Sequence, residues 1–167
     1  MRTSTTVVLA ALAIFMGLLA TSPATAQSTA PAGKLVLFAD LAWFAPAPEH
    51  EACTVKNRFK KGENVGFRLY AVDGGTNKPE ESAKIMVHLS FGGKTYDLPA
   101  LFRGIPQKND RGNTMPVHAG MWTVKWKVPD DAPTGTVHYS ATASDKYGRT
   151  ADWMPQGGEE SFLTIVP

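Results

Sequence analysis

Three side chains in the stretch MPVHAGMW, residues 115–122, have the types and spacing to hold a soft metal: Met115, His118 and Met121 recur at every third position. Thioether and imidazole suit copper, and thiolate belongs to the same ligand class. The single cysteine, Cys53, follows His50 by three residues in HEAC. His50, Cys53, Met115, His118 and Met121 therefore make one candidate copper set, fit for a copper-binding protein or chaperone. A blue-copper electron carrier is not indicated, because the cysteine comes early and no late cluster of Cys, His and Met follows it. The competing reading of MPVHAGMW is structural. Met115-Pro116 closes the loop 103–117, Gly120 lets the chain turn, Met121 opens a strand, and methionine fills many cores.

Other chemistry is thinner. No G-x-S-x-G elbow, phosphate-binding loop, dinucleotide fingerprint or C-x-x-C occurs. Cys53 sits in a proline-rich setting with no helix start to activate its thiol. It is read as buried, as a metal ligand, or as paired with another molecule, since one cysteine makes no internal disulfide. The acid pairs Glu80-Glu81, Asp130-Asp131 and Glu159-Glu160 fall in turns or at strand starts, where solvated carboxylates are common. Asp73, Asn77, Glu80, Glu81 and Asp145 offer oxygen ligands, but their spacing is not that of an EF-hand, so DGGTNKPEE reads as a solvated turn. These absences point away from an enzyme and give no catalytic residue and no cofactor beyond copper.

The elements that must position these groups are strands. Asn64–Val72 alternates, with Val65, Phe67, Leu69 and Ala71 on one face and Gly66, Arg68 and Tyr70 on the other. Period-two alternation with one apolar face is a half-buried strand. Lys84–Phe91 repeats the pattern, with Ile85, Val87, Leu89 and Phe91 inward. Gly92-Gly93 then predicts a tight hairpin turn into KTYDLPALF. Trp122, Val124, Trp126 and Val128 share a face before Pro129 stops that strand. Val137, Tyr139, Ala141 and Ala143 do so in 136–144, and a last strand lies near 161–166. KLVLFA, residues 34–39, is a candidate first strand. The run Lys56, Arg58, Lys60, Lys61 reads as a solvated basic turn. About seven short strands separated by turn signals, with no helical period after residue 45, predict an all-β, two-sheet antiparallel sandwich.

That fold brings a second metal candidate into view. His88 and His138 point outward from the strands 84–91 and 136–144, and two such histidines can share an ion if those strands are neighbours, as the resemblance described below implies, and the register agrees. Trp43, Phe44 and Trp153 lie outside the alternating strands and are candidate contacts for a protein or a sugar.

The N-terminus carries an address. Arg2 precedes an apolar run from Val7 to Ala20, and Ala24-Thr25-Ala26 is a small-x-small cleavage pattern. The run is shorter than the roughly 20 residues a bilayer span needs. A signal peptide over 1–26, a lead segment over 27–52 and a sandwich over 53–167 follow as the expected organisation. The expected location is the periplasm or the exterior, with no stable membrane span after cleavage. Removing 26 of the 167 residues takes away Arg2 alone, leaving 16 basic against 15 acidic residues. That balance gives no argument for nucleic acid or for an anionic membrane.

The phrases FKKGENVGFRLYAVD and GMWTVKWKVPDDAPTGTVHYSATASDKYGRT resemble bacterial exported immunoglobulin-like domains of the fibronectin-III and PKD kind. The resemblance spans roughly residues 55–166 and implies a fold, not an activity. It implies that strands 84–91 and 136–144 lie side by side, that Tyr139 occupies the tyrosine-corner position, and that the segment before residue 53 stands outside the pattern. Together these observations predict a non-enzymatic periplasmic or secreted module that engages a protein partner. A copper-binding protein and a carbohydrate-binding module are the alternatives.

Overall fold

The computed structural model describes residues 31, 33–44, 53–109, 112–157 and 162–167. The expected signal peptide, His50 and most of the expected lead segment lie outside these residues, and of Cys53 only the backbone is described. Among the described residues there are strands and turns but no helix.

Two antiparallel sheets carry the architecture. The first is built from β1 (Leu35–Phe44), β2 (Cys53–Val55), β4 (Asn64–Asp73), β5 (Lys78–Pro79), β8 (Leu101–Phe102) and β11 (Trp122–Lys127). Its order is β2-β1-β4-β11-β8, with β5 against the far end of β4. The second comprises β3 (Arg58–Lys60), β6 (Lys84–Phe91), β7 (Lys94–Pro99), β12 (Gly135–Ser144), β13 (Thr150–Trp153) and β14 (Leu163–Val166). Its order is β3-β14-β12-β6-β7, and β13 lies beside the other half of β12. Only β3 and β14 run parallel among these described pairs. A small hairpin of β9 (Gln107–Lys108) and β10 (Thr114–Met115) occupies the loop 103–117.

The alternation read from the sequence accounts for the interior. Val65, Phe67, Leu69 and Ala71 from β4 meet Val87, Leu89, Val137 and Ala141 from the second sheet in one core with Trp122, Val124 and Trp126. Burying each large side chain contributes roughly 1.5–3 kcal/mol. The expected adjacency of 84–91 and 136–144 is present, with Ser140 opposite His88. Gly92 and Gly93, at φ 59° and 74°, make the hairpin turn between β6 and β7.

Four local expectations are corrected. The first strand does not end at residue 39. It runs to Phe44 and pairs with β4 from Leu35 to Trp43, and Leu35, Leu37 and Leu41 enter the common core. The described part of the lead is therefore an integral strand of ten residues, held by its full-length pairing with β4 and by Leu35, Leu37 and Leu41 in the core. The basic run is not a plain turn: Arg58–Lys60 is β3, with Arg58 and Lys60 exposed around a fully buried Phe59. KTYDLPALF splits. Lys94–Pro99 stays on β6, while Leu101–Phe102 crosses to β11 in the other sheet. Pro99 has no N–H to continue a ladder, which favours the break there. Finally, Thr150–Trp153 adds a strand after the turn Asp145–Gly148.

The stretch DKYGR closes one end of the molecule. Asp145 Oδ1 accepts the backbone N–H groups of Tyr147 and Arg149, each at 2.9 Å, which fixes the turn. Arg149 then reaches across to the first sheet. Its guanidinium donates to Asp145 at 2.6 Å, to Glu80 at 2.9 Å, to the Gly33 carbonyl at 2.7 Å, and to Asp73. Asp73, Glu80 and Asp145 thus converge as a set of oxygen ligands, and the cation they hold is an arginine. The expected solvated turn is in fact a tie between the sheets, since Asp73 is only 5% exposed.

Candidate functional site

In a strand pair, residues directly opposite share a face. The register therefore lists what each sheet shows to the outside. On the first sheet, one row is Val36, Val72 and Pro79. The next is Phe38 beside Tyr70, whose hydroxyl donates to the Met121 sulfur at 3.5 Å. The Met121 carbonyl in turn accepts the Arg103 N–H. The third row is Asp40, Arg68, Thr123 and Leu101, in which Arg68 grips Asp40 with bonds of 2.6 and 2.8 Å. Lys125 and Lys127 follow on β11. Half of this outer face is apolar. Phe38 is 53% and Leu101 51% exposed.

The outer face of the second sheet is built from other residue types. Its rows are Ser140, His88 and Asp97; His138, Ser90 and Thr95; and Asp152, Thr142, Met86 and Pro99. His88 Nδ1 donates to Asp97 Oδ1 at 2.6 Å. In the neutral ring this leaves Nε2 to accept the Thr142 hydroxyl at 3.0 Å. An open depression of about 500 Å³ lies here, with Met154 and Phe162 on its wall.

The copper candidates are placed as follows. Met115 belongs to β10, His118 is exposed and Met121 is half-buried. His118 and Met121 bracket a turn in which the Met121 N–H donates to the His118 carbonyl. Gly120 sits there at φ 71°, and a Cβ on it would meet Pro79 at 2.7 Å. The glycine is required both for its backbone angle and for the close packing. Met121 engages Tyr70, a structural use of the thioether. His50 and the Cys53 side chain lie outside the described residues. Among the described residues no three His, Cys, Asp or Glu side chains gather to hold a metal ion.

His88 and His138 do share a face, set diagonally across β6 and β12. They are not turned toward each other. The His88 ring is held toward Thr142, while His138 lies on the opposite side of Ser140 along β12 and meets Phe162 edge-on, with centroids 6.5 Å apart.

Trp43, Phe44 and Trp153 do not form one platform. Trp43 and Phe44 are successive residues on one strand and so face opposite ways. Phe44 covers Gly66 so closely that a Cβ there would lie 2.3 Å from the ring. Trp43 packs against the core beneath Lys56, whose ammonium is 5.3 Å from the ring centroid and also binds Glu63 at 2.7 Å. Trp153 packs on Tyr139 at 5.8 Å. Tyr139 itself is 9% exposed, and burial, with the nearby Asp40 charge, pushes its hydroxyl up to about 12.

The apolar rows on the first sheet went unread in the sequence. The available signal was Val36 and Phe38 on the outward positions of an otherwise alternating strand. Set against models of known protein families and against curated proteins, the chain matches none.

Proposed function

We propose that this chain is an exported, non-enzymatic binding module with immunoglobulin-like topology, and that it docks a partner protein on the outer face of its first sheet. The observation that carries the reading is the apolar half of that face. An antiparallel sheet packed on a core by one side normally shows polar residues on the other. Here Val36, Phe38, Tyr70, Val72, Pro79 and Met121 occupy outward positions side by side. Contiguous exposed apolar surface marks interaction sites. Lys34 and Arg103 flank the patch, Lys127 at its far end faces Asp130 at 3.9 Å, and the one acid in the patch's rows, Asp40, is bound by Arg68. This distribution favours a partner whose contact surface is apolar with acidic edges.

The strand orders support the immunoglobulin-like part of the reading. β1-β4-β11-β8 against β3-β14-β12-β6-β7 follows the A-B-E-D and A′-G-F-C-C′ arrangement of such sandwiches. Export rests on the pattern of residues 1–26. The non-enzymatic part draws on the aligned Asp97, His88 and Thr142. That alignment stands on an open face, and its carboxylate is 72% exposed, so water competes for every bond it makes.

The test is co-purification from a periplasmic fraction with Phe38→Ser and Leu101→Ser, two exposed positions whose change spares the core. Capture of the partner is expected to fall by about tenfold or more, because central apolar anchors dominate interfaces. Thr142→Ala on the other face is expected to leave capture unchanged. Capture that survives the first pair of changes and fails with the second overturns the reading.

A further inference from the structure

Tyr139 and Pro155 line two depressions at once. The first is the one on the outer face of the second sheet, about 500 Å³, floored by Ser90, Thr95, Asp97 and Ser140. The second, about 470 Å³, opens where the side of the sandwich brings β1 near β13, and holds Asn57, Trp153 and Gln156. We infer that the two adjoin as one groove that binds an extended, neutral oligosaccharide.

Three features of the groove select that class of ligand. A sugar ring presents C–H groups on its faces and hydroxyls around its rim, so it needs apolar surface and small polar groups in alternation. The groove supplies Trp153, Met154 (58% exposed) and Phe162 between hydroxyl, amide and carboxylate side chains. Lys56 is matched by Glu63 and Asp40 by Arg68 within the chain, and the remaining carboxylate, Asp97, accepts the His88 N–H and adds no positive charge. Such a site does not attract a polyanion. The backbone beneath is largely committed. β12 is paired with β6 along one side; on the other it pairs with β14 over Gly135–Val137 and with β13 over Ala141–Ser144, and β6 is held between β12 and β7. The gap on β12 between β14 and β13 spans only residues 138–140, too short a stretch for a peptide to add as a strand, so recognition falls to side chains. Pockets of several hundred Å³ with an apolar lining and a few polar groups are typical of small-ligand sites.

The test is a glycan array probed with the purified protein, followed by tryptophan-fluorescence titration with the oligosaccharide that gives the strongest signal. Binding is expected to weaken about tenfold in Trp153→Ala and in Met154→Ser, the second an exposed change that spares the fold, and to hold in Phe38→Ser. The inference is overturned by an array without bound neutral glycans, by affinity indifferent to both groove variants, or by selective binding of proline-rich peptides in place of sugars.

Discussion

The two outer faces of this sandwich enclose the same core and are written in the same period-two alternation, yet they differ in kind. The face of the first sheet sets Phe38 beside Tyr70 and Val36 beside Val72. The face of the second sets His88 between Ser140 and Asp97, and Ser90 between His138 and Thr95. Core packing does not explain the difference, because both sets point away from it. The second face is polar along its central rows and carries its apolar groups, Met154 and Phe162, at the border of the depression. The apolar face leaves Phe38 half exposed, a choice that stability alone does not favour. The lesson is to seek function where a sequence departs from what its fold requires.

The comparison presupposes one rigid body, and the largest expected effect is on that premise. Arg149→Ala strands Asp73, Glu80 and Asp145 without their shared cation. Breaking a largely buried ion cluster from one side is strongly destabilising. A thermal melt is expected to lose roughly 10 °C or more, in one transition that takes both faces together. Two separate transitions would break the comparison. The Arg149 guanidinium also holds the Asp73 and Asp145 carboxyls below their usual range, although burial opposes it. The stability they contribute is present above the ordinary carboxylate range and is lost as pH falls through their lowered folded values. Acid denaturation of the parent protein is therefore expected to steepen below about pH 4, and Arg149→Ala to flatten that slope.

The next effect is alkaline. Burial raises Tyr139 to about 12, so the folded state keeps a proton that the unfolded chain releases near 10. Stability is expected to fall between about pH 10 and 12, by on the order of 2 to 3 kcal/mol from this group. Denaturant melts across that window check it, and Tyr139→Phe should remove that share of the loss.

Smaller effects separate the faces. Phe38→Ser is expected to change stability by less than about 1 kcal/mol while it weakens partner capture. An equal loss in folding and in capture would make Phe38 structural and dull the contrast. On the other face, His88→Gln or Asp97→Asn is expected to cost less than about 1 kcal/mol in urea melts, because the hydrogen bond they share is exposed to competing water.

How much of this was legible follows from range. The inward residues of β4, β6, β11 and β12 were readable because each strand repeats its alternation several times. β3 and β13, with three and four residues, carry too little of the period to register, and charge hid Phe59. Met121 attracted notice for its sulfur and its neighbour His118. Its use comes from Tyr70, 51 positions away, through a register that no local pattern encodes. DKYGR was readable as a turn, while the reach of Arg149 to Asp73, across 76 positions, was not. The rows on the outer faces are products of pairing and appear only once the strands are aligned.

The central claim is that contact with a partner belongs to the outer face of the first sheet. A photo-crosslinking amino acid placed at Phe38, and separately at Ser140 on the opposite outer face, tests it in the living cell. The account predicts a discrete heavier adduct from position 38 and none of that mass from position 140. An adduct from position 140 alone, or none from position 38 while the protein is folded and exported, would contradict it.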